Sequence, residues 1–247
     1  MQDMTLLHGD CLELMKDIPD KSIDMVLTDP PYLVPPHGGG RKGLADRLSR
    51  IRDEIEFIAK DFDFESVFSE FLRVCKVPNF IIFCSNLQLG RTIVYFENKG
   101  LKVDALVWSK INPAPLGFNS YISDIEYIVY VHVEGSYFNN DAPLDFKKKT
   151  KRYSIITNAM EKYHPTQKPI DLMRELITVH SKENDVILDS FMGSGSTGVA
   201  CKSLNRKFIG IELDDYYFNI AKQRIENGFV QEEISNEELD NLPIFQM

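Results

Sequence analysis

The chain has no apolar run longer than a β-strand, so nothing in it is long enough to form a membrane-spanning helix. It also lacks any Cys-x-x-Cys pair. Cys11, Cys75, Cys84 and Cys201 are scattered singly, which excludes a zinc or disulfide framework and reads as packing thiols in a reducing cytoplasm. The histidines show no metal-ligand spacing. The start, Met1-Gln2-Asp3-Met4, has no basic region leading into an apolar stretch, so no secretory signal and a cytoplasmic location are expected. No internal repeat or low-complexity block is present. An excess of base is missing too: the net charge is −9, which taken as a total argues against a partner as acidic as DNA.

The distribution of charge reverses that argument. Residues 34–52 hold Arg41, Lys42, Arg47, Arg50 and Arg52 against the single acid Asp46. Residues 142–168 hold Lys147, Lys148, Lys149, Lys151, Arg152, Lys162 and Lys168 against Asp145 and Glu161, whereas the tail 228–247 is acidic throughout. An acidic body with two basic segments is compatible with one nucleic-acid face, and equally with a pair of solvated loops.

At 247 residues with 43% hydrophobic content, the chain can bury a full core. Strand patterns fall at Met4–His8, Ile23–Thr28, Phe80–Ser85, Val103–Trp108, Glu126–His132, Val186–Asp189 and Phe208–Glu212. Helical patterns at Glu65–Lys76, Leu87–Asn98, Ile170–Val179, Thr197–Leu204 and Tyr216–Asn227 separate most of them. This alternation predicts a doubly wound α/β fold with a mainly parallel sheet of about seven strands. The two strands between 103 and 132 have no helix between them, which places one antiparallel strand at the sheet edge. One catalytic domain spans 1–247 in this reading, with long loops at 34–60 and 134–162.

Two segments carry chemistry. Thr28-Asp29-Pro30-Pro31-Tyr32 follows an apolar strand and ends it, because proline donates no N–H and fixes its own φ. The result is a stiff platform bearing a carboxylate, a carbonyl and a ring at the carboxyl edge of the sheet, where open α/β folds bind ligands; by itself it also reads as an ordinary turn. The second segment, Asp185 to Gly198, is a buried strand turning through glycines into a helix. Gly193, Gly195 and Gly198 satisfy G-x-G-x-x-G, and Glu212 ends the next strand where a ribose-binding acid belongs, so a dinucleotide site is one reading. Against it, the carboxylate of Asp189 would repel a pyrophosphate on the helix N-terminus and attract a cationic amino or sulfonium group. A dehydrogenase also has no use for Asp29-Pro-Pro-Tyr32 or for His164-Pro165-Thr166-Gln167-Lys168-Pro169.

Together these segments resemble the amino-methyltransferases of DNA, and their order, catalytic tetrapeptide first and glycine loop last, is similar to the circularly permuted beta class. The match runs through Gly9-Asp10-Cys11, the tetrapeptide, Trp108 to Pro115 with Glu126, His164 to Pro169, the glycine loop and Ile209 to Glu212. The resemblance implies a permuted class I S-adenosylmethionine-dependent fold and methyl transfer to an exocyclic base nitrogen. Asp rather than Ser at position 29 looks like the adenine-N6 members; N4-cytosine or RNA methylation on the same scaffold is the nearer alternative, and an NAD-dependent oxidoreductase the remote one.

By that resemblance Asp29 and the carbonyl of Pro30 accept the two amino hydrogens, Pro31 braces them and Tyr32 stacks on an extruded base, with Asn112 and Phe118 lining the target pocket. The cofactor would lie among Asp10 with Cys11 (adenine end), Glu212 (ribose), Asp189, Phe191, Gly193, Gly195, Ser196 and Thr197, with Thr166 and Lys168 at its carboxylate; Asp10 reads equally as a helix cap. His164 reads as a packed residue. Arg41, Lys42, Lys147, Lys148, Lys149, Lys151 and Arg152 would meet phosphates of double-stranded DNA. Two further partners are compatible with this: a second copy of the chain, which the tail carrying Leu239, Leu242, Ile244 and Phe245 would cover as readily as its own body, and a cognate restriction endonuclease.

Overall fold

The computed structural model describes residues 4–32, 62–113, 121–158, 161–164 and 166–227. Arg41, Lys42, Phe118, the 34–60 loop and the 228–247 tail lie outside the described residues.

Strands β1 (Met4–His8), β2 (Met25–Thr28), β3 (Asn79–Cys84), β4 (Lys102–Lys110), β5 (Ile125–His132), β6 (Thr150–Tyr153), β7 (Val186–Asp189) and β8 (Lys207–Glu212) form one sheet in the order β1-β8-β7-β2-β3-β5-β4-β6. Its helices are α1 (Cys11–Met15), α2 (Phe64–Val74), α3 (Asn86–Asn98), α4 (Ile170–His180), α5 (Ser196–Ser203) and α6 (Asp215–Asn227). The sheet is parallel except for β5, which runs antiparallel to both of its neighbours, β3 and β4. The expected single antiparallel strand is therefore present, but inside the sheet. The edge belongs to β6, an eighth strand in a stretch read from sequence as loop, pairing parallel with β4.

Alternation along the central strands divides the core between two faces. Met25, Leu27, Ile81 and Phe83 point toward Leu172, Leu176, Ala200 and Ile225 of α4, α5 and α6. Val26, Phe80 and Ile82 point toward Met15, Phe71, Val74 and Phe96 of α1, α2 and α3. Strands with both faces buried read as unbroken apolar runs, which is why β2, β3 and β7 are visible in the sequence.

Two connections place the site. The chain leaves β2 toward β3 on one side and leaves β7 toward β8 on the other, while β2 and β7 themselves are neighbours. The crevice at their carboxyl ends is thus the topological switch point of the sheet. Asp29 follows β2 and Asp189 ends β7, so two segments far apart in sequence meet there.

Candidate active site

Asp29 lies just beyond the last β2 residue, in a chain stiffened by Pro30 and Pro31. The carbonyl of Pro31 accepts a hydrogen bond from Gln88 Nε2 at 2.8 Å, and Gln88 also accepts from the Ser85 backbone N–H, capping α3. One side chain therefore ties the tetrapeptide to the start of the next helix. The Asp29 carboxylate is divided: Oδ2 accepts from the Lys168 ammonium, whereas Oδ1 is buried without a hydrogen-bond partner among the described residues. Burial raises the carboxyl above its ordinary range, Lys168 opposes that, and the nearby charge of Glu126 adds to it.

Lys168 is 3% exposed and sits between two carboxylates, with Glu126 Oε2 at 3.2 Å on its other side. Its ammonium lies 5.2 Å from the centre of the Tyr32 ring and 5.1 Å from that of Phe83. Burial alone would lower its pKa, but the two anions outweigh burial and raise it, so it stays charged. Glu126, the second residue of β5, also takes the Tyr32 hydroxyl as a donor at 3.1 Å and Lys110 at 2.9 Å. Burial would push Glu126 up, yet Lys168 and Lys110 hold it below the usual carboxylate range. Two acids, two lysines and a tyrosine thus form one closed network around the open oxygen of Asp29.

Lys168, expected at a cofactor carboxylate, directs its ammonium at the Asp29 and Glu126 carboxylates, because a lysine stripped of water is held best between two anions. Thr166 is exposed and its hydroxyl and N–H meet Nδ1 of His164. His164 packs edge-on against Tyr217 and is lowered by burial to about 4, as a packed, neutral histidine should be.

The glycine loop stands beside this network. Asp189 is buried and saturated: Thr28 Oγ1 donates to it at 2.8 Å, Thr197 Oγ1 at 2.5 Å and the Phe191 N–H at 3.1 Å. With no cation beside it, burial lifts its carboxyl to about 7. Gly195 adopts φ +81°, which allows the loop to turn into α5. At Gly198 a Cβ would come within 2.4 Å of Ile225, so this glycine serves close packing of α5 on α6. Glu212 accepts the Gly193 N–H at 2.8 Å and the Asp214 N–H at 2.9 Å, and the Ser196 hydroxyl is buried without a partner among the described residues. From α6, Arg224, which the sequence reading passed over, donates to the Ser194 carbonyl and pins the loop from outside. Asp10 caps α1 through Oδ1, which accepts from the Leu12 and Glu13 N–H groups; Cys11 behind it is buried, with its thiol raised to about 12 by burial.

Two expected substrate contacts are corrected. Both ends of the Asn112 side-chain amide are engaged by the Ile155 backbone, at 2.7 and 3.2 Å, so Asn112 fastens the chain leaving β4 to the chain leaving β6. Lys151 is 3% exposed and pairs with Glu175 at 2.7 Å, inside the protein and away from any phosphate. The cause is the β6 alternation, which points Lys151 and Tyr153 at Glu175 while Thr150 and Arg152 face solvent. Lys147, Lys148 and Lys149 remain at the surface, the last two paired with Asp145 and Asp104.

The DNA methylase family of N6- and N4-methyltransferases matches residues 23–223. The type II methyltransferase M2.LlaDCHI of Lactococcus lactis subsp. cremoris is 30% identical over 92% of this chain and 91% of its own length. M2.DpnII of Streptococcus pneumoniae is 31% identical over 90% of each. Among solved structures, the M1.HpyAVI-SAM complex is similar with a TM-score of 0.68 at 29% identity, over 90% of this chain and 99% of the other. PvuII DNA methyltransferase (cytosine-N4-specific) shares the fold, with a TM-score of 0.70 at 18% identity, over 100% of this chain and 92% of the other. The chain belongs to the DNA methylase family.

Proposed function

We propose that this protein transfers a methyl group from S-adenosylmethionine to N6 of an adenine turned out of double-stranded DNA. The observation that carries the reading is Oδ1 of Asp29, buried without a hydrogen-bond partner among the described residues, with Tyr32 close by and the preceding Thr28 tied to Asp189 of the glycine segment. A buried acceptor left open inside an otherwise satisfied network is a place for a donor from outside. The exocyclic amino group of adenine is such a donor, and its lone pair is drawn into the ring, which makes it a poor nucleophile. Asp29 accepting one N6–H and the Pro30 carbonyl the other would pyramidalise the nitrogen and free its lone pair. Tyr32, with its hydroxyl held by Glu126, offers the face on which the extruded base stacks; stacking of this kind is worth roughly 1–3 kcal/mol.

The residues of the glycine segment fit the cofactor. The Ser196 hydroxyl is buried without a partner among the described residues, Gly195 makes the turn beside it, Glu212 holds the same loop through the Gly193 N–H, and the second oxygen of Asp10 is not used by its cap. When bound there, the cofactor would supply an electrophilic methyl group on a sulfonium. The solved relative whose title names a SAM complex supports this choice. Asp at position 29, as in the adenine-N6 members that the chain resembles, supports adenine over cytosine. The exposed Lys148, Lys149 and Arg152, with the half-buried Lys147, would meet phosphates.

Nucleoside mass analysis after parallel incubation of duplex DNA and of RNA with methyl-labelled S-adenosylmethionine tests the reading. Label in N6-methyladenine is the expected result. Label in N4-methylcytosine would overturn the base assignment, and label in RNA alone would overturn the substrate.

A further inference from the structure

Resting on that reading, we propose that Glu126 is a positioning residue for methyl transfer: it is the alternative anchor that draws the Lys168 ammonium away from Asp29 when the target amino group arrives. As the network stands, Lys168 engages both acids at once, touching Asp29 Oδ2 and lying 3.2 Å from Glu126 Oε2. A carboxylate tied to an ammonium is a weaker acceptor for a neutral amine, so Asp29 performs best once Lys168 leans the other way. Without a second anion, the buried lysine would have nowhere to lean. Glu126 also receives the Tyr32 hydroxyl, so the same carboxylate fixes the plane of the ring expected to carry the base.

The placement of Glu126 suits this task. It is the second residue of β5, a strand whose later residues Ile128, Val129 and Val131 are fully buried. Lys110 from β4 neutralises its second oxygen at 2.9 Å, which leaves Oε2 to be shared by Lys168 and Tyr32. The ionisable groups facing it are those three, Asp29 and the Cys84 thiol, whose own ionisation burial and the two acids suppress. Asp29 is therefore the group in this set whose ionisation responds to Glu126 in the acid range, and the charge of Glu126 raises it.

The test compares the parent enzyme with Glu126→Gln and Glu126→Asp under single-turnover conditions, alongside calorimetry with S-adenosylmethionine. Glu126→Gln is expected to lower the rate of methyl transfer by about 10²-fold, the size of effect that misplacing a reacting group produces. Affinity for the cofactor should hold within twofold. The acid limb of the rate profile should move to lower pH, since one of the charges that raises Asp29 is gone. Glu126→Asp keeps the charge at shorter reach and should fall between the other two, and it serves alone if the glutamine variant does not fold. A Glu126→Gln enzyme within twofold of the parent, or a loss of rate with an unmoved acid limb and a matching loss of cofactor affinity, would overturn the proposal. An inactive parent enzyme would instead overturn the function on which it rests, so the two failures are distinguishable.

Discussion

Two aspartates stand at the ends of neighbouring parallel strands, yet their surroundings have little in common. Asp189 ends β7 with three neutral donors, two threonine hydroxyls and a backbone N–H, and neither oxygen is left over. Asp29 follows β2 with a lysine on one oxygen and, among the described residues, no hydrogen-bond partner on the other. A carboxylate whose hydrogen-bonding capacity is filled by the protein is a structural brace. One held beside a positive charge with a vacant lone pair is prepared for a donor that the chain does not supply. Thr28 joins the two, since its hydroxyl reaches Asp189 while its own carbonyl leads into Asp29, so the glycine segment and the Asp29-Pro-Pro-Tyr32 platform are tied at one strand end.

The strongest way to break this contrast is to exchange the acid that is expected to react. Asp29→Ala should reduce methyl transfer by at least about 10³-fold, on the scale of removing a group aimed at the reacting centre, while cofactor affinity survives. Radiolabel transfer and calorimetry on the same preparation check both halves. Loss of cofactor affinity in step with activity would show that the two aspartates are not divided in role.

A second pair of variants sharpens the boundary between interior and surface charge on β6. Lys151→Met strands the buried Glu175 carboxylate and should cost about 3–5 kcal/mol of folding stability by chemical denaturation. Arg152→Ala, one residue on and exposed, should leave stability within about 0.5 kcal/mol but weaken DNA binding and flatten its dependence on salt.

Smaller effects are expected at the brace itself. Thr28→Val removes one donor from the buried Asp189 and should cost about 1–3 kcal/mol, read as a lower melting temperature. Asp189 stands at about 7 in the folded protein against 3.8 for the unperturbed group, so the folded chain keeps a proton that the unfolded chain releases. The stability it contributes is full below pH 3.8 and is lost as the pH rises to about 7. Asp189→Asn should make the pH dependence of stability over this window less negative, by at most about 1.4 kcal/mol per pH unit. An unchanged profile would remove the reason for separating the two acids.

The parts of the molecule that could be read beforehand are those governed by local pattern. Strands β2, β3 and β7 are unbroken apolar runs, the glycine turn announces itself, and the two prolines after Asp29 forbid a longer strand. The strand β6 escaped because two of its four residues are basic, and a run of lysines looks like a solvated loop. The inward alternation of Lys151 and Tyr153 was visible only as a period of two, too short to stand out. Nor was the charge network legible, because it joins Asp29 to Lys168 across 139 positions and Tyr32 to Glu126 across 94. One signal did exist for Glu126: an acid at the head of a strand as apolar as Ile125–His132 needs a buried partner. The pairing of Lys168 with Asp29 and Glu126 was hidden for the same reason, since the sequence shows that a lysine is available but not which carboxylate comes within reach.

The reversed direction of β5 has a consequence for what holds Lys110 and Glu126 together. A strand that runs against its neighbours delivers its opening residues to the rim where the others deliver their last, so Lys110 and Glu126 meet there from paired strands. The ladder between those two strands, and not the stretch of chain beyond the rim, is what keeps this pair of opposite charges in register.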